Sequence, residues 1–516
     1  MSAFPHPWIR YLVLFLLIGI FVALGRGYVS PVPFGYDEAD YMSAARRGFV
    51  PNYVDAGVIG IGTFVEKGLA FGFTSQQRST LSAFIRQSGD ISFQRHYHGP
   101  LYFYWMILAR GLGATNEAAL RWASYLLLAV TAALAALLAQ ELSHAHSGVA
   151  GLIAALMTLL GSAGGRTAAQ ITPHAIYVPA ALAALYAMIR WTRQPDNTRL
   201  AVLGVALGFA LLAIEYAALL VASAVLTLCF LQRRESGAAD TNGTWRMLGR
   251  LTATALATVF VLWPGGLLKL TLVRNCLVFG YITIVRGGEY GDAGAIHVWA
   301  ARFADSPLEY LLILFGVGFY LVRLGADRRY WPLVCYVGLV LLTTVRNTSP
   351  LPTYISSMLP PLYVLCGVAV EQLLGGRPVV PRLLAVAGLS GLIMAKGFST
   401  VPADRGRERP NAVATLVRYF SARDTDTGRV LVPIAYLPAL HYYYPTLRAA
   451  PYSEGSDGLA HTARQALDNG YPGLLYASHA REGFGNLLPP ERIERIDTIA
   501  VAPTIPFYAF YYHLGR

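Results

Sequence analysis

The stretch "FGYDEADYM" (34–42) sets two acids, Asp37 and Glu38, side by side at the start of a long hydrophilic loop, just past an apolar run. Gly35 supplies a turn, and the residues after it can open a helix, whose first turn favours acids. On that helix Asp37, Asp40 and Tyr41 share a face at i, i+3 and i+4, while Glu38 points about 100° away. Two uses fit: complementing a helix N-terminus, or general-base chemistry at a water edge. At the loop's other end "FQRHYHGPLYFYWMILARGLG" (93–113) crowds Arg95, His96 and His98 against Gly99-Pro100, and Pro suits the first turn of a helix. Two His at i, i+2 invite a metal, but no third ligand has convincing spacing, so no metal site is assigned. No cofactor is read from the sequence, and a divalent cation is left open.

Further along, "WPGGLLKLTLVRNCLVFGYITIVRGGEYGD" (263–292) carries Lys269, Arg274 and Arg286 after a helix-breaking Pro264-Gly265-Gly266. They either anchor to lipid headgroups or clamp a phosphate; non-helical backbone at that depth survives only where protein or a wet cavity surrounds it. Glu215 lies inside "LLAIEYAALLVA", where an ionisable group is a functional hypothesis or a cap between two helices. His174 in "QITPHAI" suits either a donor or acceptor contact or plain interfacial polarity. The aromatics of "PALHYYYP" (438–445) are either a sugar-stacking face or domain core.

The elements that must position these groups are those of a membrane protein. The 516 residues are 55% hydrophobic and only 14% charged, against about 25% charged in an ordinary soluble chain; mean hydropathy is +0.45. Apolar runs recur to about residue 399, and a spanning helix needs roughly 17–25 such residues. The net charge of +12 sits mostly in short connections, where orientation of the spans and anionic headgroups explain it; nucleic acid is not expected. The four cysteines, Cys229, Cys276, Cys335 and Cys366, show no paired or metal-ligand spacing and read as small buried hydrophobes. The run "WIRYLVLFLLIGIFVALG" lacks a following small-x-small site and reads as an uncleaved first span.

Spans are expected at 8–25, 100–113, 121–141, 148–162, 172–191, two within 199–231, then 251–270, 307–323, 331–345, 352–372 and 381–398. Basic connections at 190–199, 233–250, 323–330 and 375–382 look cytoplasmic, which puts 271–306, 346–351 and the tail outside. An outside first loop (26–99) and an outside tail need an odd number of spans, and this list holds twelve. Within the loop "QQRSTLSAFIRQ" suits a helix in the headgroup plane, or a plain solvated loop. The tail, 400–516, changes character: "NAVATLVRYFSAR" and "LAHTARQALDNG" read as helices, and "GRVLVPIAY", "GLLYASHA" and "IPFYAFYYHLG" as strands. That pattern is a small α/β domain.

Together, "DEADYM", "HGPLYFYWMILARGLG", "NEAALRWASYLLLAVTAALAALLAQEL" (116–142) and "PTYISSMLPPLYVLCGVAVEQL" (352–373) resemble, in order and spacing, the motifs of the GT-C glycosyltransferases. The branch is the one with protein O-mannosyltransferases, the aminoarabinose transferase of lipid A and bacterial galacturonosyltransferases. The resemblance covers about 400 residues of the membrane region. One departure stands out: Thr353 precedes Tyr354 where the family often has Arg or Lys, and the nearest basic residue is Arg346.

The resemblance implies a polytopic all-α membrane protein of GT-C fold, with about 11–13 transmembrane helices in 1–399 and an extracytoplasmic α/β domain in 400–516. It implies an enzyme in the inner (plasma) membrane that takes a sugar from a polyprenyl-phosphate donor and passes it, with inversion, to a lipid, polysaccharide or protein acceptor on the extracytoplasmic face. Lipopolysaccharide, other cell-envelope glycans and protein glycosylation all fit. Asp37 is then the general base, and Glu38 orients Asp37 or a sugar hydroxyl. Arg95, His96, His98, His174, Lys269, Arg274, Arg346 and Tyr354 are candidates for binding phosphate or substrate. The alternative reading is a transporter or flippase of a lipid-linked saccharide, which should show inverted repeats and broken helices with midplane charges; the sequence offers only Glu215.

Overall fold

The computed structural model of the chain describes residues 7–54, 98–143, 148–161, 163–235, 241–280, 299–300, 303–325, 327–346, 355–375, 377–400, 412–422, 429–433, 435–452, 456–478, 484, 486–502 and 507–515. Helices dominate it. In chain order they are α1 (Pro7–Tyr28), α2 (Tyr36–Arg46), α3 (Phe49–Val54), α4 (Leu101–Gly111), α5 (Glu117–Leu142), α6 (Val149–Leu160), α7 (Gly164–Ala168), α8 (Pro173–Arg193), α9 (Asn197–Ala213) and α10 (Ala217–Glu235). There follow α11 (Thr241–Leu262), α12 (Pro264–Leu268), α13 (Thr271–Gly280), α14 (Pro307–Phe319), α15 (Trp331–Arg346), α16 (Leu359–Leu374) and α17 (Val379–Thr400).

One large apolar cluster joins α1, α5, α6, α8, α9, α10, α15 and α16 through Leu24, Tyr125, Ile153, Leu185, Leu207, Leu220, Tyr336 and Val364. Small residues set the packing distance: a Cβ on Gly367 would strike the backbone of Ala150, so α16 lies directly against α6. By length and composition α5 and α8 can cross a membrane, and α1, α6, α9, α10, α16 and α17 contribute shorter apolar stretches.

Several expected spans come out differently. The segment 100–113 forms α4, only 11 residues long, which is about 16 Å of helix against a hydrocarbon core of about 30 Å; α6, at 12 residues, is barely longer. The expected span 251–270 stops at Leu262, because Pro264 cannot continue the helix and starts α12 instead. Likewise α16 opens at Leu359 with Pro360 and Pro361 in its first turn, later than expected. The long run 199–231 does divide in two: Ile214 is extended, and α10 begins at Ala217. The Tyr216 carbonyl beside this break accepts from the Tyr177 hydroxyl at 3.3 Å, as buried backbone requires.

The C-terminal part adds α18 (Ala412–Ser421), β1 (Val430–Pro433), α19 (Leu437–Tyr443), β2 (Ala449–Tyr452), α20 (Ser456–Asp468), β3 (Gly473–Ser478), β4 (Ile493–Ala502) and β5 (Phe507–Leu514). The sheet order is β2-β1-β3-β5-β4. β1 runs parallel to β2 and β3, and β5 pairs antiparallel with β3 and β4. Strand alternation gives two cores. Val430, Val432, Leu475, Ala477 and Tyr511 meet α18 and α19 on one face, while Leu431, Leu474, Tyr476 and Tyr512 meet α20 on the other. The helices and three strands read from the sequence are present; β2, β4 and α19 are additions to that reading.

Candidate functional site

Helix α2 brings the acids to one end of the helical domain. Its N-cap, Gly35, is extended, and the Gly35 N–H donates to Glu38 at 3.3 Å. Inward-facing Ala39, Met42, Ala44 and Ala45 are buried among Tyr102, Phe103 and Met106 of α4, which fixes the helix's rotation. That rotation separates the two acids.

Glu38 turns into the protein. Arg121 of α5 grips it through Nε to Oε1 at 2.9 Å and Nη2 to Oε2 at 2.5 Å, and the Ile171 N–H adds a third donor at 3.1 Å. The same guanidinium donates to the carbonyls of Ser30 at 2.7 Å and Val32 at 2.6 Å. One buried Arg therefore ties the segment entering α2, the helix itself and the turn before α8. Asp37, one residue earlier, is exposed. Asp40 and Tyr41, which share the Asp37 face of an ideal helix, are buried at 1% and 5% exposure.

His98 stands opposite. Its Nδ1 lies 2.9 Å from Glu215 Oε2 and its Nε2 lies 3.2 Å from the Tyr41 hydroxyl. Burial works against the charged imidazole, but Glu215 by charge and hydrogen bond, with Asp37 and Asp40, outweighs it and raises His98 above its ordinary 6.5. Glu215 reaches this point because α9 stops at Ala213, Ile214 is extended, and Glu215 and Tyr216 turn into α10. Gly99 makes the approach possible: a Cβ there would collide with the backbone of Leu212. His174, buried at the first turn of α8, has its ring 5.7 Å from that of Tyr216 and is near enough to His98 for their charges to interact.

The α11–α12 corner closes in beside this group. Trp263 and Leu272 cluster with Leu212, with Leu101 packed against them, and the Tyr104 hydroxyl donates to Leu262 O at 2.8 Å. Lys269 is half-buried at the end of this corner. Arg274 is 2% exposed and donates to Asn275 Oδ1, which makes it a poor headgroup anchor.

Of the sequence candidates, Asp37, Glu38, His98 and His174 come together, and Lys269 and Arg274 lie on the adjoining corner. Arg346 is the last residue of α15. Arg95, His96, Tyr354, Arg286 and the expected interfacial helix near 76–87 lie outside the described residues. Among the described residues no group of three or more His, Cys, Asp or Glu is placed to hold a metal ion. Sequence reading passed over Arg121 as a site residue, although a lone Arg within an apolar 26-residue helix is the signal that would find it. The "HYYY" aromatics prove to be core and docking residues, with Tyr442 stacked edge-on against Phe34 at 5.3 Å.

Residues 97–263 match the sequence model of the family described as dolichyl-phosphate-mannose-protein mannosyltransferase. This segment takes in His98, Arg121, His174 and Glu215 and stops short of α2. The whole chain superposes on ArnT from Cupriavidus metallidurans in the apo state, with a TM-score of 0.59 at 14% identity, over 96% of this chain and 97% of that one. The same protein bound to undecaprenyl phosphate gives a TM-score of 0.58 at 13% identity over 98% of each chain. The archaeal oligosaccharyltransferase AglB from Archaeoglobus fulgidus, in complex with an inhibitory peptide and a dolichol-phosphate, gives 0.50 at 12% identity, over 98% of this chain and 74% of that one. No curated protein matches the chain by sequence. Both relatives are GT-C fold glycosyltransferases, and the chain shares that fold, as its motifs led us to expect.

Proposed function

With a GT-C fold as the frame, we propose that this chain is a membrane glycosyltransferase that moves a sugar from a polyprenyl-phosphate donor to an acceptor at the extracytoplasmic face. The observation that carries the reading is the division of labour between adjacent acids. Glu38 is held inside the protein by Arg121, Ile171 and Gly35, whereas Asp37, on the next position of the same helix, is exposed to solvent. A carboxylate turned into the protein and clamped by a guanidinium cannot meet an acceptor hydroxyl, and a solvent-facing neighbour on the same helix can.

Asp37 takes the proton of an acceptor hydroxyl as that oxygen attacks the anomeric carbon. The bond from that carbon to the phosphate oxygen breaks, and polyprenyl phosphate leaves with its electron pair. A single displacement of this kind inverts the anomeric configuration. The leaving phosphate needs charge stabilisation more than a proton. His98, whose charged form is favoured by Glu215, supplies one positive group, and Lys269 and Arg274 on the adjoining corner supply others. The mannosyltransferase-family segment and the undecaprenyl phosphate bound by the Cupriavidus protein both support a polyprenyl-linked donor.

A broken helix with an ionisable residue also belongs to transporters. Here, however, Glu215 is paired with His98 at the start of α4, and that pair borders the candidate base. The test is a transfer assay on the full-length protein in nanodiscs, with a panel of labelled polyprenyl-phosphate sugars and hydroxyl acceptors. Release of polyprenyl phosphate with formation of a glycoside is expected. Movement of the intact lipid-linked sugar across vesicles, with its glycosidic bond uncleaved, would overturn the reading.

A further inference from the structure

Helix α2 is gripped at both ends by two consecutive residues of the C-terminal domain. At its start, the Tyr443 hydroxyl accepts from the Phe34 N–H at 2.8 Å and donates to Glu117 Oε1 at 2.8 Å. Phe34 immediately precedes the N-cap of α2, and Glu117 is the first residue of α5. At its end, the Arg46 guanidinium lies 3.4 Å from the centre of the Tyr442 ring and donates to the Tyr442 carbonyl. Between these points Ala439 and Tyr442 are buried in one apolar cluster with Phe34, Ala39, Tyr41, Met42, Ala44 and Ala45. Helix α19 of the domain thus shares an apolar cluster with the helix that carries Asp37.

A tether that only attached one domain to another would need apolar area and nothing more. These polar contacts are aimed instead at the two termini of an 11-residue helix, and one of them satisfies a backbone N–H that no side chain of the helical domain reaches among the described residues. A hydroxyl that both accepts and donates fixes three elements at once: the segment entering α2, the N-terminus of α5 and α19. Sliding α2 by a fraction of a turn would move Asp37 by ångströms, and displacements near 1 Å can cost about 100-fold in rate.

We propose that Tyr442 and Tyr443 are positioning residues through which the C-terminal domain sets the placement of α2. Their consequence for turnover rests on the reading of Asp37 as the base.

Full-length Tyr443→Phe removes one oxygen and keeps the ring. Hydrogen exchange of the amides in 34–46 is the first readout, and kcat and KM for the donor are the second. Exchange confined to 34–46 should quicken, kcat should fall roughly 10- to 100-fold, and KM should stay within about twofold. Glu117→Gln leaves an acceptor for the same hydroxyl and should stay near wild type. Unchanged exchange in 34–46, or quickened exchange with full kcat, would overturn the proposal. If the wild-type protein transfers no sugar, the base assignment fails, while the exchange result still judges the clamp. Should Tyr443→Phe not fold, Arg46→Gln tests the other end with the same readouts and the same criteria.

Discussion

Arg121 holds Glu38 in a two-pronged ion pair, with the guanidinium 4% exposed and both contacts at 2.9 Å or shorter. Two neighbouring carboxylates, alike in sequence, are thereby given unlike surroundings. The pair also gathers three backbone carbonyls before α2, so it organises the loop as well as the acid.

Arg121→Leu leaves half-buried Glu38 without its counter-charge; removing one partner of a fully buried pair typically costs about 3–5 kcal/mol, which is the upper bound here. Thermal unfolding in detergent should show a large drop in midpoint for Arg121→Leu. Arg121→Lys should fall between, since an ammonium cannot reproduce the fork geometry. A midpoint for Arg121→Leu equal to wild type would show that the pair carries no structural weight.

Gly99→Ala places a methyl against the backbone of Leu212, neither of which can swing away. Overpacking of this kind costs about 1–3 kcal/mol. The strain falls on the contact that brings His98 to Glu215. The variant should therefore lose transfer activity out of proportion to its loss of stability, as read by paired unfolding and turnover measurements.

Because His98 binds its proton more tightly in the folded protein, its contribution to stability is complete below pH of about 6.5 and is lost as pH rises through the raised native value. The unfolding midpoint should therefore fall as the pH is raised above about 6.5 in the wild type. In Glu215→Gln, which removes the facing charge, this slope should flatten. A midpoint that rises across the same window would contradict the ion pair.

Legibility in the sequence follows the range of the interactions. The pairing of "DEADYM" with "HGPLYFY" was readable because both motifs sit at ends of one loop, and the split of 199–231 followed from its length. The exact break at Ile214–Tyr216 carries no Gly or Pro, and the partner Glu215 meets there, His98, is more than a hundred residues away in sequence. Helix faces placed Asp40 and Tyr41 beside Asp37, yet could not say that Arg121 would choose Glu38. Span lengths were overread at 100–113 and 251–270, where apolar character continues past the ends of the helices. The aromatic run at 441–444 fitted either a sugar-stacking face or domain core, and only tertiary contact shows Tyr442 and Tyr443 seated on α2.

The central claim is that Asp37, and not Glu38, is the base, and the direct test is transfer by Asp37→Asn beside Glu38→Gln. Both substitutions preserve shape and remove one charge. In a single-turnover assay with a donor the wild type uses, Asp37→Asn should lose at least about 100-fold in rate with its unfolding midpoint unchanged, in keeping with the loss of a general base. Glu38→Gln should lose stability, with a smaller loss in rate. Transfer by Asp37→Asn at the wild-type rate would contradict the account.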